Sequence, residues 1–335
     1  MRLPLLLLAL LTVGWAVPAT AANVDPKLLL LQQKVRSFSE EDYTPAIAKI
    51  FAEFEKNTGQ SLQPGKLKKC ALKISTEGGL GLSTPKGLTR AVVLALQHRG
   101  FTAENILICD NHLESLRAAG YIPQITDAPQ KFGDCPVLAW SNLAAGWAGD
   151  KRFHYENQVA PRPNSPSVPW GDPHVSILPK PLFDDVDFWI NLPVLSDSKA
   201  VGVHGAMACA SLGNMANSER FYDNPFNAAK AAVEVCAIPE LAQKNKLTIL
   251  SFERYQVLGG PYFDANWCRS EKIILASANP VILDFIGLQK INKGRAAGNM
   301  ETIHPEPPIF AAANSNEVRL GSCRAADITL LQLDP

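Results

Sequence analysis

The sequence predicts an α/β fold: a mostly parallel sheet with helices on both faces, Rossmann-like, carrying an irregular proline-rich insertion. Three observations lead there. Short apolar runs alternate with helical patterns from residue 70 onward, which is the signature of a covered parallel sheet. The 335 residues are 47% hydrophobic and 19% charged, an ordinary globular composition. The 25 prolines and 22 glycines imply many loops and short elements.

The first 21 residues are of another kind. Arg2 is followed by an apolar run from Leu3 to Val17, then Ala19-Thr20-Ala21. A positive start, an apolar stretch and a small-residue site make a secretory signal peptide, with cleavage near Ala21. The run is shorter than the roughly 20 residues a bilayer needs. We therefore expect a periplasmic or secreted protein with no stable membrane insertion after cleavage. Residues 22–66 read as a helical N-terminal cap, because Ile47, Ile50, Phe51 and Phe54 follow helical spacing. Residues 67–335 read as a single α/β domain.

Within that domain, Cys70 to Ile74 reads as a strand, followed by the glycine-rich loop Glu77 to Leu82. Ser83-Thr84-Pro85 starts a helix, whose apolar face is Leu88, Ala91, Val92, Ala95 and Leu96. Gly100 ends it. Ile106 to Cys109 is a buried strand, and a short helix runs to Gly120. Residues 122–173, with five prolines from Pro161 to Pro173, read as an excursion from the sheet. Strands resume at His174 to Leu178 and Phe188 to Pro193. Helices follow at about 205–215 and 225–236. Strands at 247–252 and 273–276 precede a helix from Asn279-Pro280, and an apolar alternation closes the chain at 328–333.

Charge and cysteine patterns exclude several functions. Lys plus Arg and Asp plus Glu are both 32, so no basic excess marks a nucleic-acid binder. Seven cysteines leave at least one thiol unpaired in an oxidising compartment. There is no C-x-x-C, no H-E-x-x-H and no G-x-S-x-G, so zinc-ribbon, zincin and hydrolase-elbow chemistry have no support. His204 and Cys209 lie five apart, about 140° around a helix. They would not share a face as a metal pair, and no metal residue is assigned.

The candidate site lies at strand ends, where open α/β sheets bind ligands. Gly78, Gly79 and Gly81 join a strand to a helix start, an arrangement that suits an anion. Lys73 ends the preceding strand and adds charge. Asp110 follows the next strand, where capping a helix is the plainer alternative. Asp197, Lys199 and His204 follow the strand at 188–193, in a loop before a helix. A Lys–Asp pair tunes an acid or base, and histidine titrates near neutrality. These four, Asp110, Asp197, Lys199 and His204, are the candidate catalytic residues.

The order of motifs resembles the domain of unknown function 362 family, in its exported branch without a ferredoxin-like module. The resemblance runs through Leu72 to Thr84, Glu104 to Asp110, Leu116 to Tyr121, Ile190 to Leu195, Gly202-Val203, Asn217, Arg220, Gly259-Gly260-Pro261 and Ala276 to Asp284. It implies a parallel α/β fold and an activity that is largely unassigned. Thr84, Asn191, Asn217 and Arg220 stand in these motifs and join the candidate ligand-binding residues. The chain also departs from the family. Lys-Asp-His is replaced by Ser196-Asp197-Ser198, and Ala-Leu-Lys-Asn by Ala206-Met207-Ala208-Cys209. Two readings follow. One is an exported enzyme or cofactor-dependent protein that binds a small anionic or carbonyl-bearing ligand, with a cofactor the sequence does not name. The other is a non-catalytic binding protein that has lost the family's Lys/His residues. Neither reading indicates a protein partner.

Overall fold

The computed structural model describes residues 24–124, 130–141, 152–154, 159–161, 163 and 171–333. The expected signal peptide lies outside the described residues. The strands are β1 (Leu29–Lys34), β2 (Cys70–Ile74), β3 (Ile106–Asp110), β4 (Lys131–Phe132), β5 (Cys135–Ala139), β6 (Arg152–His154), β7 (Val175–Ile177), β8 (Phe188–Leu192), β9 (Ser196–Ser198), β10 (Gly202–His204), β11 (Asn245–Ser251), β12 (Tyr255–Gln256), β13 (Cys268–Arg269), β14 (Ile273–Ser277) and β15 (Thr329–Leu333). The helices are α1 (Glu40–Thr58), α2 (Lys86–Gln97), α3 (Leu113–Ala118), α4 (Lys180–Asp184), α5 (Ala206–Ala210), α6 (Pro225–Cys236), α7 (Pro239–Lys244), α8 (Pro280–Ala297) and α9 (Pro308–Ala313).

Nine strands form one sheet in the order β15-β1-β14-β11-β8-β2-β3-β5-β4. The run β11-β8-β2-β3-β5 is parallel throughout, as is β1 with β15; β14 and β4 pair antiparallel with their neighbours. The fold is therefore the expected α/β class with a mostly parallel sheet. Strand side chains alternate between two cores, as the two-residue period requires. Cys70, Leu72, Ile74, Ile190 and Leu192 pack with α1, α2 and α3. Ala71, Trp189, Leu250 and Leu275 pack with α5, α6, α8 and α9 on the other face.

Two boundaries differ from the sequence reading. Residues 22–66 are not only a helical cap. α1 packs on α2 as its apolar spacing requires, but β1 enters the main sheet between β14 and β15. Its run Leu29 to Gln33 pairs with chain that comes more than 230 residues later, which local periodicity does not register. The insertion is also narrower than 122–173, because β5 continues the parallel sheet beside β3 and β4 pairs on its edge. Pro136 tolerates that place because β4 is only two residues long and pairs antiparallel there. β6 and β7 form a separate two-stranded ribbon. Much of the proline-rich stretch, including 142–151 and 164–170, lies outside the described residues.

The chain leaves β2 for β3 and β5 on one side, then returns to β8 on the other. The strand order thus reverses between β2 and β8. The crevice at the carboxyl ends of such a pair is where open α/β sheets place ligands. A second sheet, β10-β9-β12-β13, follows directly from the end of β8 and stands beside that crevice.

Candidate functional site

Lys73 and Asn191 are register partners on β2 and β8. Both point to the α5 side, since their neighbours Leu72, Ile74, Ile190 and Leu192 fill the opposite core. Lys73 is 1% exposed. Its Nζ donates to the Ile74 carbonyl at 2.7 Å and to Asp110 Oδ1 at 2.7 Å, and approaches Cys209 Sγ at 3.6 Å. Asp110, at the end of β3, is held by four donors in all. Asn111 N–H reaches Oδ1 at 2.8 Å, while Thr76 N–H and hydroxyl reach Oδ2 at 2.8 and 2.5 Å. Asp110 is therefore the counter-ion of Lys73 rather than a helix cap. Burial works against the Lys73 charge. Asp110 and then Cys209 outweigh it, and the ammonium sits above its ordinary range.

His204 ends β10 and faces the same space, with Nε2 3.9 Å from Glu77 Oε2. Burial pushes its imidazole below the usual value, against the pull of Glu77. Burial thus favours its neutral form. Cys209 comes from α5. Burial pushes its thiol up to about 11, although Lys73 draws it down, so the sulfur stays protonated near neutrality. A cavity of 220 Å³ is lined by Lys73, Asp110, His112, His204, Cys209 and Glu219 among others. At ~30 Å³ per water it has room for about seven waters, or a small metabolite.

His204 and Cys209 thus line the same cavity. The helix expected over about 205–215 starts only at Ala206 and breaks after Ala210, before a 3₁₀ turn at Leu212–Asn214. His204 is on a strand, so helical angles do not apply. A Cβ at Gly213 would lie 3.3 Å from Lys73 Nζ. The break therefore leaves space for the ammonium. Asp284, on α8, holds the short helix from below: it accepts the N–H groups of Ala206 at 2.5 Å and Met207 at 2.8 Å. Burial pushes its carboxyl up to about 7 despite those two donors.

The remaining sequence candidates have other placements. Residues 196–204 form a hairpin, β9 and β10, instead of a loop. Asp197 pairs across it with Val203, while His204 pairs with Ser196, so the two ionisable groups face opposite ways. Asp197 accepts from Arg295 at 2.8 Å and from the N–H groups of Gly260 and Gly259 at 2.7 and 3.2 Å. Lys199 is exposed at the hairpin tip, where it lines a wider outer chamber. The glycines are required by packing. A Cβ on Gly81 would stand 2.3 Å from the Phe263 ring, and one on Gly78 would stand 2.4 Å from the Leu82 carbonyl and 2.9 Å from that of Pro261. Gly79 has φ +64°. The loop is glycine-rich because the 259–263 segment packs onto it, and α2 begins only at Lys86.

Thr84 is a lace between strands: it accepts from Ser75 N–H at 2.9 Å and donates to the Leu192 carbonyl at 2.5 Å. Asn191 donates to the Ala206 carbonyl at 2.9 Å and anchors α5. Asn217 ties down the 173–176 segment through Pro173, Val175 and Ser176. Arg220 reaches Ser176 and the Val159 carbonyl. Thr84, Asn191, Asn217 and Arg220 are thus built into the scaffold and do not line the inner cavity. Sequence reasoning missed Glu77, His112 and Cys209 as site residues. Cys209 carried a signal: it stands at a position where the sequence departs from the family motif it resembles.

All seven cysteines are free thiols, and Cys70, Cys109, Cys135, Cys209 and Cys236 are buried. Among the described residues no group of three or more His, Cys, Asp or Glu converges to hold a metal ion. Among them, too, no helix is long and apolar enough to cross a membrane. No family model matches the chain, and no curated protein matches it. Among solved structures, a structural-genomics protein from Thermotoga maritima superposes with a TM-score of 0.40 and 12% identity, over 78% of this chain and 59% of that one. The chain thus spans less than two thirds of that protein's length. A likeness this distant says nothing about function.

Proposed function

We propose that this chain is an exported enzyme, related to the domain of unknown function 362 family, that binds a small carbonyl-bearing molecule and moves a proton on it. The observation that carries the reading is the placing of His204 and the ion-paired Lys73 in the wall of one small cavity, where burial favours the neutral imidazole and Asp110 the charged ammonium. A neutral imidazole is the form that accepts a proton. Two Lys73 protons are committed to strong acceptors at 2.7 Å. The third meets only Cys209 sulfur at 3.6 Å, a weak bond that a ligand oxygen can replace. His204 takes a proton from the carbon beside the carbonyl. The electron pair moves onto the carbonyl oxygen, where the Lys73 ammonium stabilises the charge. Returning the proton to the same carbon gives exchange, and to a neighbouring atom gives isomerisation. Of the two ligand classes expected from the sequence, this favours the carbonyl-bearing one inside the cavity, since Asp110 already neutralises Lys73.

Export is supported by Arg2, the apolar run to Val17 and Ala19-Thr20-Ala21. A second reading, binding without catalysis, draws support from Asp110, whose carboxylate is already saturated by donors within the protein. Acetone in D₂O separates the two. Deuterium entry into its methyl groups, followed by ¹H NMR, should exceed the buffer rate with wild type. It should return to that rate in His204→Gln and persist in His98→Gln, a surface control. Exchange indifferent to His204→Gln overturns the proton-transfer reading; binding with no exchange supports the second.

A further inference from the structure

The inner cavity opens into a larger one. A chamber of 620 Å³ lies against it, and the two share Glu77, His204, Leu212, Tyr222 and Tyr262. Those five residues form a neck with His204 in its wall. Beyond the neck the walls are largely apolar: Val201, Leu258 and Pro261 extend the surface of Leu212 and the two tyrosine rings. Tyr222 is steadied by Ser218, whose Oγ lies 3.1 Å from the Tyr222 hydroxyl. Tyr262, which also lines both spaces, is 71% exposed. An exposed aromatic ring at the mouth of a chamber offers apolar area for a ligand to cover.

The charges of this outer chamber are mostly spent. Asp197 and Arg295 hold each other at 2.8 Å, and Asp197 is further bound by the Gly259 and Gly260 N–H groups. Glu77 stands at the neck beside His204. Asp223 is engaged within the protein. Lys199 is different. It is exposed on the rim, and among the described residues it has no ion-pair partner.

We infer that the substrate is an elongated molecule with a carbonyl head in the inner cavity, a flat or chain-like apolar body held between Tyr222 and Tyr262, and an anionic far end at Lys199. The inference rests on the proton-transfer reading for the head, but its body and tail contacts are independent of that chemistry. It also gives Lys199 a place: it recognises the tail and takes no part in proton transfer.

Three methyl ketones test it on the mature protein: acetone has the head only, acetophenone adds the body, and 4-acetylbenzoate adds the tail. Affinity is read by ligand-observed NMR titration and chemistry by deuterium entry into the acetyl methyl. Affinity should rise in the order acetone, acetophenone, 4-acetylbenzoate. Lys199→Ala should weaken 4-acetylbenzoate about two- to fivefold, the scale of an exposed ion pair, and leave acetophenone unchanged. Tyr262→Ala should weaken both aryl ketones about three- to tenfold, the scale of an aromatic contact, and leave acetone unchanged. Equal affinity for all three ketones, or an equal effect of Lys199→Ala on acetophenone and 4-acetylbenzoate, overturns the elongated substrate. If exchange of acetone depends on His204 while the tail effects are absent, the inference fails and the proton-transfer reading stands. If the tail effects appear without exchange, the chamber stands and the proton-transfer reading fails. Binding of none of the three overturns both.

Discussion

Replacing Lys73 by Met tests whether the buried ion pair organises the site. The two groups are 2.7 Å apart, with side chains 1% and 8% exposed. At an effective dielectric near 20 the attraction is about 6 kcal/mol. Part of it is offset because the variant no longer buries an ammonium, and removing one partner of a buried pair typically costs about 3–5 kcal/mol net. Asp110 keeps three donors from Thr76 and Asn111. The low end, about 3 kcal/mol, is therefore expected. Asp110→Asn should cost a similar amount at pH 7 but respond to pH. In wild type Lys73 lies above its ordinary range. Its contribution is present below the unfolded value of about 10.4 and fades only as pH rises beyond it. Without Asp110, burial depresses the ammonium instead. The cost then shrinks as pH rises toward about 10 and the group sheds its proton. Urea denaturation followed by tryptophan fluorescence, at pH 7 and 9.5, measures both. A Lys73→Met loss under about 1 kcal/mol, or an Asp110→Asn cost that is flat with pH, would refute the reasoning.

Other perturbations have equally definite outcomes. Gly81→Ala places a methyl in the Phe263 ring and should cost about 1–3 kcal/mol in urea denaturation, with Tyr262 displaced and aryl-ketone affinity reduced. Asp284, raised by burial from 3.8 to about 7, should make stability fall as pH climbs through that window. Its contribution is largest below the unfolded value, and the loss, at most about 4 kcal/mol by linkage, is complete above pH 7. The difference between wild type and Asp284→Asn across pH 4 to 8 isolates it, and a constant difference would contradict the assignment. Iodoacetamide at pH 7.5 should label Cys268 and Cys323 first, since the other five thiols are buried. Peptide mapping by mass spectrometry reads the order, and early labelling of Cys209 would contradict its buried, protonated setting.

The sheet's centre was legible because its information is local. The apolar run at 70–74, the helical face from Leu88 to Leu96 and the run at 106–110 each carry their own period. Their register then brings Lys73 beside Asp110 without further instruction. What escaped was non-local. β1 reads as nothing definite until β14 and β15 flank it. The glycines at 78–81 look like a ligand loop until residues 259–263 close over them. His204 and Cys209 line one cavity only because the chain turns sharply between a strand and a five-residue helix. One signal was available and unused: Asp284 stands inside Val281-Ile282-Leu283-Asp284-Phe285, and a lone carboxylate in an apolar stretch of helix has a buried partner to satisfy.

The placing of β1 has a bearing on how the protein is made. Its sheet neighbours are residues 273–277 and 329–333. While the ribosome works through the intervening chain, β1 lacks both of its sheet neighbours, and that flank of the sheet waits for residues 329–333. Such a long delay between first and last contact slows spontaneous folding. Under the proposal that the chain is exported, that slowness would be an advantage: a chain that closes β1 between β14 and β15 late stays threadable for longer.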